Sequence, residues 1–518
     1  MKRKQNPIQI FGVGVAITIA NATIANANQL ANNNSFSSQD LIFKSQATAQ
    51  INSVEDIIKP AQQPIPNTTN LNPSQNPLSL PTQADEVELD TQKPITLQQA
   101  IKLSLKNNQD IKEARIQVER PSAALREAKS GLYPNLDLES GLNYDDDLFL
   151  DSVIEQSADR TSQSSLIDST SESFEFSTDL TLSYDIYDGG FRGANIRAAE
   201  KEQRTSELNL EVVVEQTRFE TARDYYSLQN SDAQVEIEEA AIEDAAQTLQ
   251  DAQLLEEGGL GTRFDVLRAE VELAQARQRL NIAIANQNIA RRQLAETLSI
   301  NLDSDLATAD AIEEACTWLL SLPECIVQAF KNRAELEQLI LLREIGEAQR
   351  QIALSQVRPT LSASASYGVK DEFEDDFDIS DRYSVGLSLQ WRLFDGGAAN
   401  AGARQAEKDI EISETQFADR RNQIRFAVEQ AYFGLESNQK NIGTATKELE
   451  PAEESLRLAR LRFQAGVGTQ TDVIEAQTDL TTARGNLLAS IIDYNQSYID
   501  LKRQVSDVAD NSLYDFPD

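Results

Sequence analysis

Residues 184–202 read YDIYDGGFRGANIRAAEKE and residues 391–409 read WRLFDGGAANAGARQAEKD, so Asp188-Gly189-Gly190 recurs as Asp395-Gly396-Gly397 at an offset of 207. The stretch LGTRFDVLRAEVELAQARQRL, from Leu260, returns as VGTQTDVIEAQTDLTTARGNL, from Val467, at the same offset. A spacing held over this distance means two copies of one rigid unit rather than a pair of chance motifs. The fold is therefore a duplicated one, and the unit dictates it.

Each copy reads helix, strand, strand, long helix, tip, helix. In copy one a helix is expected over about 96–130, with Leu97, Ile101, Leu105, Ile111, Val118 and Leu125 apolar, closed by Pro134. Its counterpart, about 332–356, is closed by Pro359. Beyond each proline the apolar period drops to two. Leu136, Leu138, Leu142 and Tyr144 alternate with polar residues, as do Phe174, Phe176, Leu180, Leu182, Tyr184 and Ile186. Copy two repeats this with Leu361, Ala363, Ala365, Tyr367 and Val369, then Tyr383, Val385, Leu387, Leu389, Trp391 and Leu393. Strands are thus expected at about 134–144, 174–187, 360–370 and 383–394. Their length, one-sided apolarity and terminal aromatics match transmembrane β-strands. A soluble amphipathic sheet would show the same alternation. Four strands cannot close a barrel, however, and open edges do not survive in lipid, so membrane-spanning strands would have to be pooled between chains.

The Asp-Gly-Gly triplets mark the strand-to-helix turns: the aspartate suits an N-cap, and paired glycines relax the backbone. They lack the spacing and lysine of a phosphate loop. Long helices follow, over about 190–255 and 397–461, each roughly 100 Å long at 1.5 Å per residue. Pro451 should kink or briefly break the second; copy one carries Asp244 there. After each tip, Val266, Ala269, Leu273, Ala276, Leu280, Ala283, Gln287, Ala290 and Leu294 step by three and four, and Val473, Ala476, Leu480, Ala483, Leu487 and Ser490 do the same. That 3.5-residue period predicts antiparallel coiled-coil hairpins. Their tips are Gly258-Gly259-Leu260-Gly261-Thr262 and Gly466-Val467-Gly468-Thr469.

Composition narrows the function classes. With 47 basic and 83 acidic residues the net charge is −36, which excludes nucleic acid as a natural partner. There is no histidine, which removes Ser-His-Asp and Cys-His chemistry and most zinc sites. No cofactor, metal or enzymatic constellation is expected. Lys2, Arg3 and Lys4, an apolar stretch from Ile8 to Ile24, and Ala25-Asn26-Ala27 read as a cleaved export signal, with a short membrane anchor as the alternative. Cys316 and Cys325 flank Trp318; in an oxidising compartment they would form a local disulfide, or else stay as two buried thiols. The acidic run Asp371, Glu372, Glu374, Asp375, Asp376, Asp378 reads as a solvated loop rather than a cation site.

The two Pro-then-strand junctions, the turn Phe394-Asp395-Gly396-Gly397 (Tyr187 standing for Phe in copy one) and the GT-x-x-DV tips resemble the TolC-like outer membrane efflux protein family over about residues 95–505. The resemblance implies a mainly α fold with membrane β-strands. Four strands per chain would join a shared trimeric 12-stranded β-barrel, above a periplasmic α-helical coiled-coil barrel. It implies a homotrimer in outer-membrane lipid, a periplasmic adaptor (membrane fusion) protein and an inner-membrane RND or ABC transporter as partners. The function implied is a passive exit duct of tripartite efflux or type I secretion. A structural or adaptor-type periplasmic coiled-coil protein is the alternative. By motif position Asp472 and Glu475 would line the closed periplasmic aperture, although Asp472 also suits a helix cap. Asp265 stands in the equivalent place in copy one. The basic residue that would latch to it is replaced by Gln470, leaving Arg263 or Arg268 to substitute. Leu260, Gly261, Thr262, Val467, Gly468 and Thr469 would form the adaptor-docking surface, or serve only turn chemistry.

The expected organisation is a signal peptide at 1–27 and an Asn/Gln/Pro-rich disordered spacer at 28–93. A first repeat at 94–300 carries a hairpin at about 190–298, and an inter-repeat equatorial segment occupies 301–331. A second repeat at 332–505 carries a hairpin at about 397–504, followed by a tail at 506–518.

Overall fold

The computed structural model describes residues 93–146, 172–300, 305–372 and 379–506. All lie in the second of two compact units, Ile51–Asp518. The export signal, the spacer, nearly all of the tail and most of both strand-joining loops, including the acidic run past Glu372, fall outside the described residues. Among those described, no helix is long and apolar enough to cross a membrane.

The elements run β1 (Lys93–Ile95), α1 (Leu97–Asn107), α2 (Gln109–Ser130), β2 (Asn135–Asp146), β3 (Glu172–Tyr187), α3 (Phe191–Glu257) and α4 (Arg263–Thr297). Then come β4 (Leu306–Thr308), α5 (Leu322–Asn332), α6 (Ala334–Ser355), β5 (Thr360–Glu372), β6 (Ser380–Gln390), α7 (Ala398–Gln464) and α8 (Gln470–Val505). The duplication is kept to the residue. Helices α1 and α2 recur as α5 and α6 at an offset of 225, and α3 recurs as α7, also 67 residues long, at 207. The change of offset falls between the strands of each pair.

Four local expectations are corrected. The first helix of copy one is two helices. Asn108 leaves the helical region (ψ 133°) and its Oδ1 accepts from the N–H groups of Asp110 and Ile111, starting α2 afresh. In copy two the helix expected over about 332–356 is α6, but the end of the expected inter-repeat segment is helical too: α5 duplicates α1 and is separated from α6 at Arg333 (ψ 112°). Pro451 does not break α7: Leu449, Ala452 and Leu456 on either side stay buried in a core shared with α8. The last strand stops at Gln390 rather than 394, since its ladder partner β5 begins at Thr360, paired with Gln390.

Strands β2, β3, β5 and β6 form one antiparallel sheet in that order, so the two copies meet at the β3–β5 ladder. Leu138 pairs with Leu180, Leu180 with Tyr367, and Ala363 with Leu387, which gathers the apolar side chains on one face. That face is bare: Leu138 is 70% exposed, Leu387 72% and Val385 84%. The other face is polar and internally bonded. Ser366 meets Ser384 at 2.8 Å, Arg382 donates to Asp179 at 3.0 Å, and Ser362 donates to Asp185 at 2.6 Å. Strands β2 and β6 each keep one edge unladdered. The sheet thus has one apolar face, one polar face and an open edge on each side.

The helices bury the seam read from the heptads. Val266, Ala269, Ala276, Leu294, Val473, Leu480 and Ala483 are all core residues, whereas Leu280, Gln287 and Ser490 are only half-buried. Strands β1 and β4 form a small parallel ribbon that sequence periodicity did not signal. Tyr225, fully buried beneath it, donates to the Ile95 carbonyl at 3.1 Å and to Asp310 Oδ2 at 2.8 Å. Burial, with the Asp310 carboxylate alongside, pushes its hydroxyl pKa up.

Candidate functional site

Both hairpin tips are built by the same hydrogen bonds. At the first, Gly259 takes a left-handed conformation (φ 71°), and the N–H groups of Leu260 and Gly261 both donate to the Leu255 carbonyl at 2.9 Å. At the second, Gly466 (φ 71°) does the same, and Val467 and Gly468 donate to the Arg462 carbonyl at 3.0 Å. Helix ends of this kind need glycine at the left-handed position. The chain then re-enters a helix at once through a capping box. Thr262 N–H donates to Asp265 Oδ2 at 3.0 Å, and Thr469 N–H donates to Asp472 Oδ2 at 3.0 Å. Each threonine hydroxyl accepts from the aspartate N–H in return.

Thr262 and Thr469 are therefore the helix caps, and Asp265 and Asp472 are their capping-box partners one turn in. The Thr469 backbone N–H and hydroxyl, with Arg462 nearby, hold the Asp472 carboxyl below its usual range, so it stays ionised. Glu475, one turn on, is exposed on the same helix. Arg263 pairs with Glu256 of its own tip at 3.7 Å and does not reach Asp265. Arg268 instead crosses to the second hairpin, donating to Thr471 Oγ1 at 2.6 Å. Gln470 is buried, so this position lies inside the packing and makes no latch to Asp265.

Leu260 and Val467 are the projecting apolar residues of the tips, 78% and 72% exposed. Gly261 and Gly468 are packed inward. A Cβ at Gly468 would lie 2.9 Å from Arg462 Cβ, and one at Gly261 would lie 3.1 Å from the Glu256 backbone nitrogen. Substitution at either glycine would distort the turn itself, so Leu260 and Val467 are the residues that probe the surface.

Sequence reasoning missed a hub farther up the hairpins. Asp244 accepts from Arg460 Nη2 at 2.7 Å and lies 4.0 Å from Arg484 Nη1, while its carbonyl accepts from Gln477 Nε2 at 2.7 Å. It ties copy one's long helix to both helices of copy two's hairpin. The available signal was that an aspartate replaces the proline of the other copy.

The strand-to-helix turns are similarly matched. Asp188 lies two residues before the first helical position's cap, Gly190, rather than at the cap itself; its carboxylate accepts from Gly190 N–H (3.0 Å) and Arg192 N–H (2.7 Å). Asp395 accepts from Gly397 (2.8 Å) and Ala399 (2.7 Å). The Ala399 and Gly397 N–H groups hold the Asp395 carboxyl below its usual range. Gly189, Gly190, Gly396 and Gly397 all have φ between 70° and 94°, which only glycine adopts without strain.

The disulfide expectation is corrected: Cys316 and Cys325 are not joined to each other. Cys325 is buried on α5, where its sulfur accepts from Trp318 Nε1 at 3.3 Å, whereas Cys316 is exposed on the preceding extended segment. Among the described residues no group of three or more His, Cys, Asp or Glu is placed to hold a metal ion.

Comparison with known proteins accords with this architecture. CzcC, a cobalt-zinc-cadmium resistance protein of Cupriavidus metallidurans, is 23% identical over 406 residues, 76% of this chain and 85% of CzcC. The outer membrane efflux protein BepC of Brucella suis is 27% identical over 173 residues, which span 33% of this chain and 38% of BepC. A crystal structure of CusC superposes with a TM-score of 0.67 at 18% identity, covering 83% of this chain and 95% of that one. The family model described as outer membrane efflux protein matches residues 100–299 and 325–505, taking in both repeats, and the chain belongs to that family.

Proposed function

We propose that the chain is the outer-membrane exit duct of a tripartite efflux or type I secretion system. Three copies pool their sheets into one 12-stranded β-barrel, and their hairpins form a periplasmic helical barrel beneath it. The observation that carries this reading is the sheet: exposed and apolar on one face, polar and internally bonded on the other, and unladdered at both edges. Such a sheet is stable in a membrane only when neighbours complete the ring. The chain acts as a passive conduit and not as an enzyme; a periplasmic adaptor and an inner-membrane RND or ABC transporter supply cargo and energy.

Leu260 and Val467 offer the adaptor an apolar contact on two similar tips, with Thr262, Thr469 and the two inward glycines fixing their shape. Asp472 and Glu475 give the periplasmic aperture a ring of negative charge, with Asp472 kept ionised by its own cap. Opening requires the hairpins to separate, which strains the Arg268–Thr471 and Arg460–Asp244 ties first.

Single-channel recording in a planar bilayer tests this reading. The purified chain should conduct as a trimer, and divalent cations added on the helical side should block it. Asp472→Ala with Glu475→Ala should relieve the block. A chain that stays monomeric and water-soluble refutes the duct; conduction with block unchanged in the double variant refutes the aperture assignment alone.

A further inference from the structure

The two repeats differ at one ion pair on their long helices. In copy two, Arg425 of α7 pairs with Glu429, one turn on, at 2.8 Å. Both positions map back by 207 onto α3 of copy one, as Arg218 and Ala222. The arginine is kept and its carboxylate is gone. Arg218 Nε is buried without a hydrogen-bond partner, and among the described residues Arg218 makes no ion pair. Leaving a charged donor buried and unpaired is costly, so this arginine stands ready for a partner that is not part of the fold.

The place of the missing carboxylate opens into a cavity. A space of about 700 Å³ lies between α1, α3 and α8, lined by Leu97, Ile101, Phe219, Ala222, Tyr226 and Ile499, with Arg218 and Cys316 also on its wall. Small-molecule sites have this size and this character, mostly apolar with a few polar groups. Arg218, Ala222 and Tyr226 follow one another at intervals of four on one face of α3. Arg218 and Tyr226 are therefore roughly 12 Å apart along the helix. In copy two the duplicates of Phe219 and Tyr226 lie bare, Phe426 at 65% and Phe433 at 56% exposure. The cavity is a feature of copy one.

The other buried charges of the cavity are already matched. Glu215 accepts from Arg503 Nη1 at 3.1 Å and from Ser506 Oγ at 3.1 Å, and Arg503 also faces Glu335 at 3.6 Å. Lys502, on the same wall, makes no ion pair among the described residues. A chain of net charge −36 thus holds two uncompensated cations, Arg218 and Lys502, around an apolar space. That combination selects an anion with an apolar body.

We propose that this cavity binds a long-chain carboxylate, a fatty-acid anion, whose head group does for Arg218 what Glu429 does for Arg425. The duplicate identifies the head group: a carboxylate satisfies this arginine in copy two, and a planar guanidinium matches its two oxygens. The apolar chain of the ligand runs along α3 over Phe219 and Ala222 towards Tyr226, leaving water for the side chains of Leu97, Ile101 and Ile499. Arg218 belongs to the first repeat and Lys502 to the second, so the ligand ties α3 to α8 and stabilises the folded chain by mass action. The site is separate from the hairpin tips and does not depend on the duct reading.

Thiol labelling of the full-length chain in lipid nanodiscs tests this, with sodium dodecanoate as the probe and a Cys325→Ser background in which the exposed Cys316 reports alone. Dodecanoate should slow maleimide labelling of Cys316 saturably and raise the melting temperature. The uncharged 1-dodecanol should match it only at about tenfold higher concentration or more. Arg218→Gln should weaken protection by dodecanoate about tenfold. Ala222→Glu rebuilds the pair of copy two, so it should abolish protection while keeping the unliganded melting temperature. If Ala222→Glu melts early, Arg218→Gln carries the comparison. Absence of protection, equal protection by dodecanol, or protection unchanged in either folded variant overturns the proposal. A Cys316 already shielded without ligand, and freed only by deleting residues 507–518, would assign the cavity to those residues and overturn it as well. None of these outcomes touches the duct reading.

Discussion

Asp244 offers the sharpest handle on opening. Its carboxylate is about a quarter exposed and accepts a 2.7 Å charged hydrogen bond from Arg460, with Arg484 at 4.0 Å. Charged hydrogen bonds contribute about 1.5–3 kcal/mol; partial exposure and salt screening discount this tie to about 1–2 kcal/mol. Asp244→Ala removes it but leaves Gln477 donating to the residue-244 carbonyl and Arg268 donating to Thr471. The hairpins should therefore loosen without coming apart. A loss of 1–2 kcal/mol shifts the closed-to-open equilibrium by a factor of about 5–30. Copy two carries Pro451 at the equivalent place and so has no carboxylate there to duplicate the tie. The assay is the open fraction of single channels in a planar bilayer, at low and high salt. Wild type should open more readily as salt rises, and Asp244→Ala should be open already and respond less. An unchanged open fraction in correctly assembled Asp244→Ala channels would refute the assignment of closure to this hub.

Further outcomes are expected elsewhere on the molecule. Leu387→Arg, at the middle of an exposed apolar strand face, should cost about 2–4 kcal/mol in lipid and reduce the amount of assembled chain in the outer membrane, read by fractionation and immunoblot. The same change at Ser366, on the polar face, should be tolerated. Val467→Glu and Leu260→Glu should abolish export while trimers and bilayer conductance persist; export surviving both would remove the tips as the docking surface. Thr469→Ala should cost about 1 kcal/mol through the lost cap. Because folding depresses the Asp472 carboxyl, its contribution is present above the ordinary aspartate value of about 3.9 and is lost as pH falls through the folded value. Thr469→Ala should move that loss to higher pH in thermal melts, and an unchanged acid limb would contradict the cap's role.

Much of this fold was legible because the chain repeats itself. Val266 to Leu294 and Val473 to Leu487 signal buried seams through an unbroken 3.5-residue period, and Leu136 to Tyr144 signals a strand through a period of two. Agreement between copies turned weak signals into strong ones: the tips at Leu260 and Val467 mean little singly. The failures came where structure is short or long-range. Strands β1 and β4 are three residues each, too brief for periodicity. The break at Asn108 interrupts a helical pattern that continues on both sides, so the pattern concealed it; α5 was missed because its eleven residues fall almost wholly in the expected inter-repeat segment. Asp244 and Arg460 are 216 residues apart, and no local rule pairs them. The cysteines were read from spacing and compartment, but spacing cannot show that Cys325 points into the core towards Trp318. At the tips, sequence identified the residues but not their direction: the glycines face inward, and their neighbours Leu260 and Val467 face out.

Electron microscopy of the full-length chain in lipid nanodiscs measures the central claim most directly. Three chains should share one barrel of twelve strands, with lipid against Leu138, Val385 and Leu387 and a water-filled interior lined by Asp179, Asp185, Ser366 and Ser384. A single chain whose sheet folds its apolar face onto its own protein core, with no lipid contact, would contradict it.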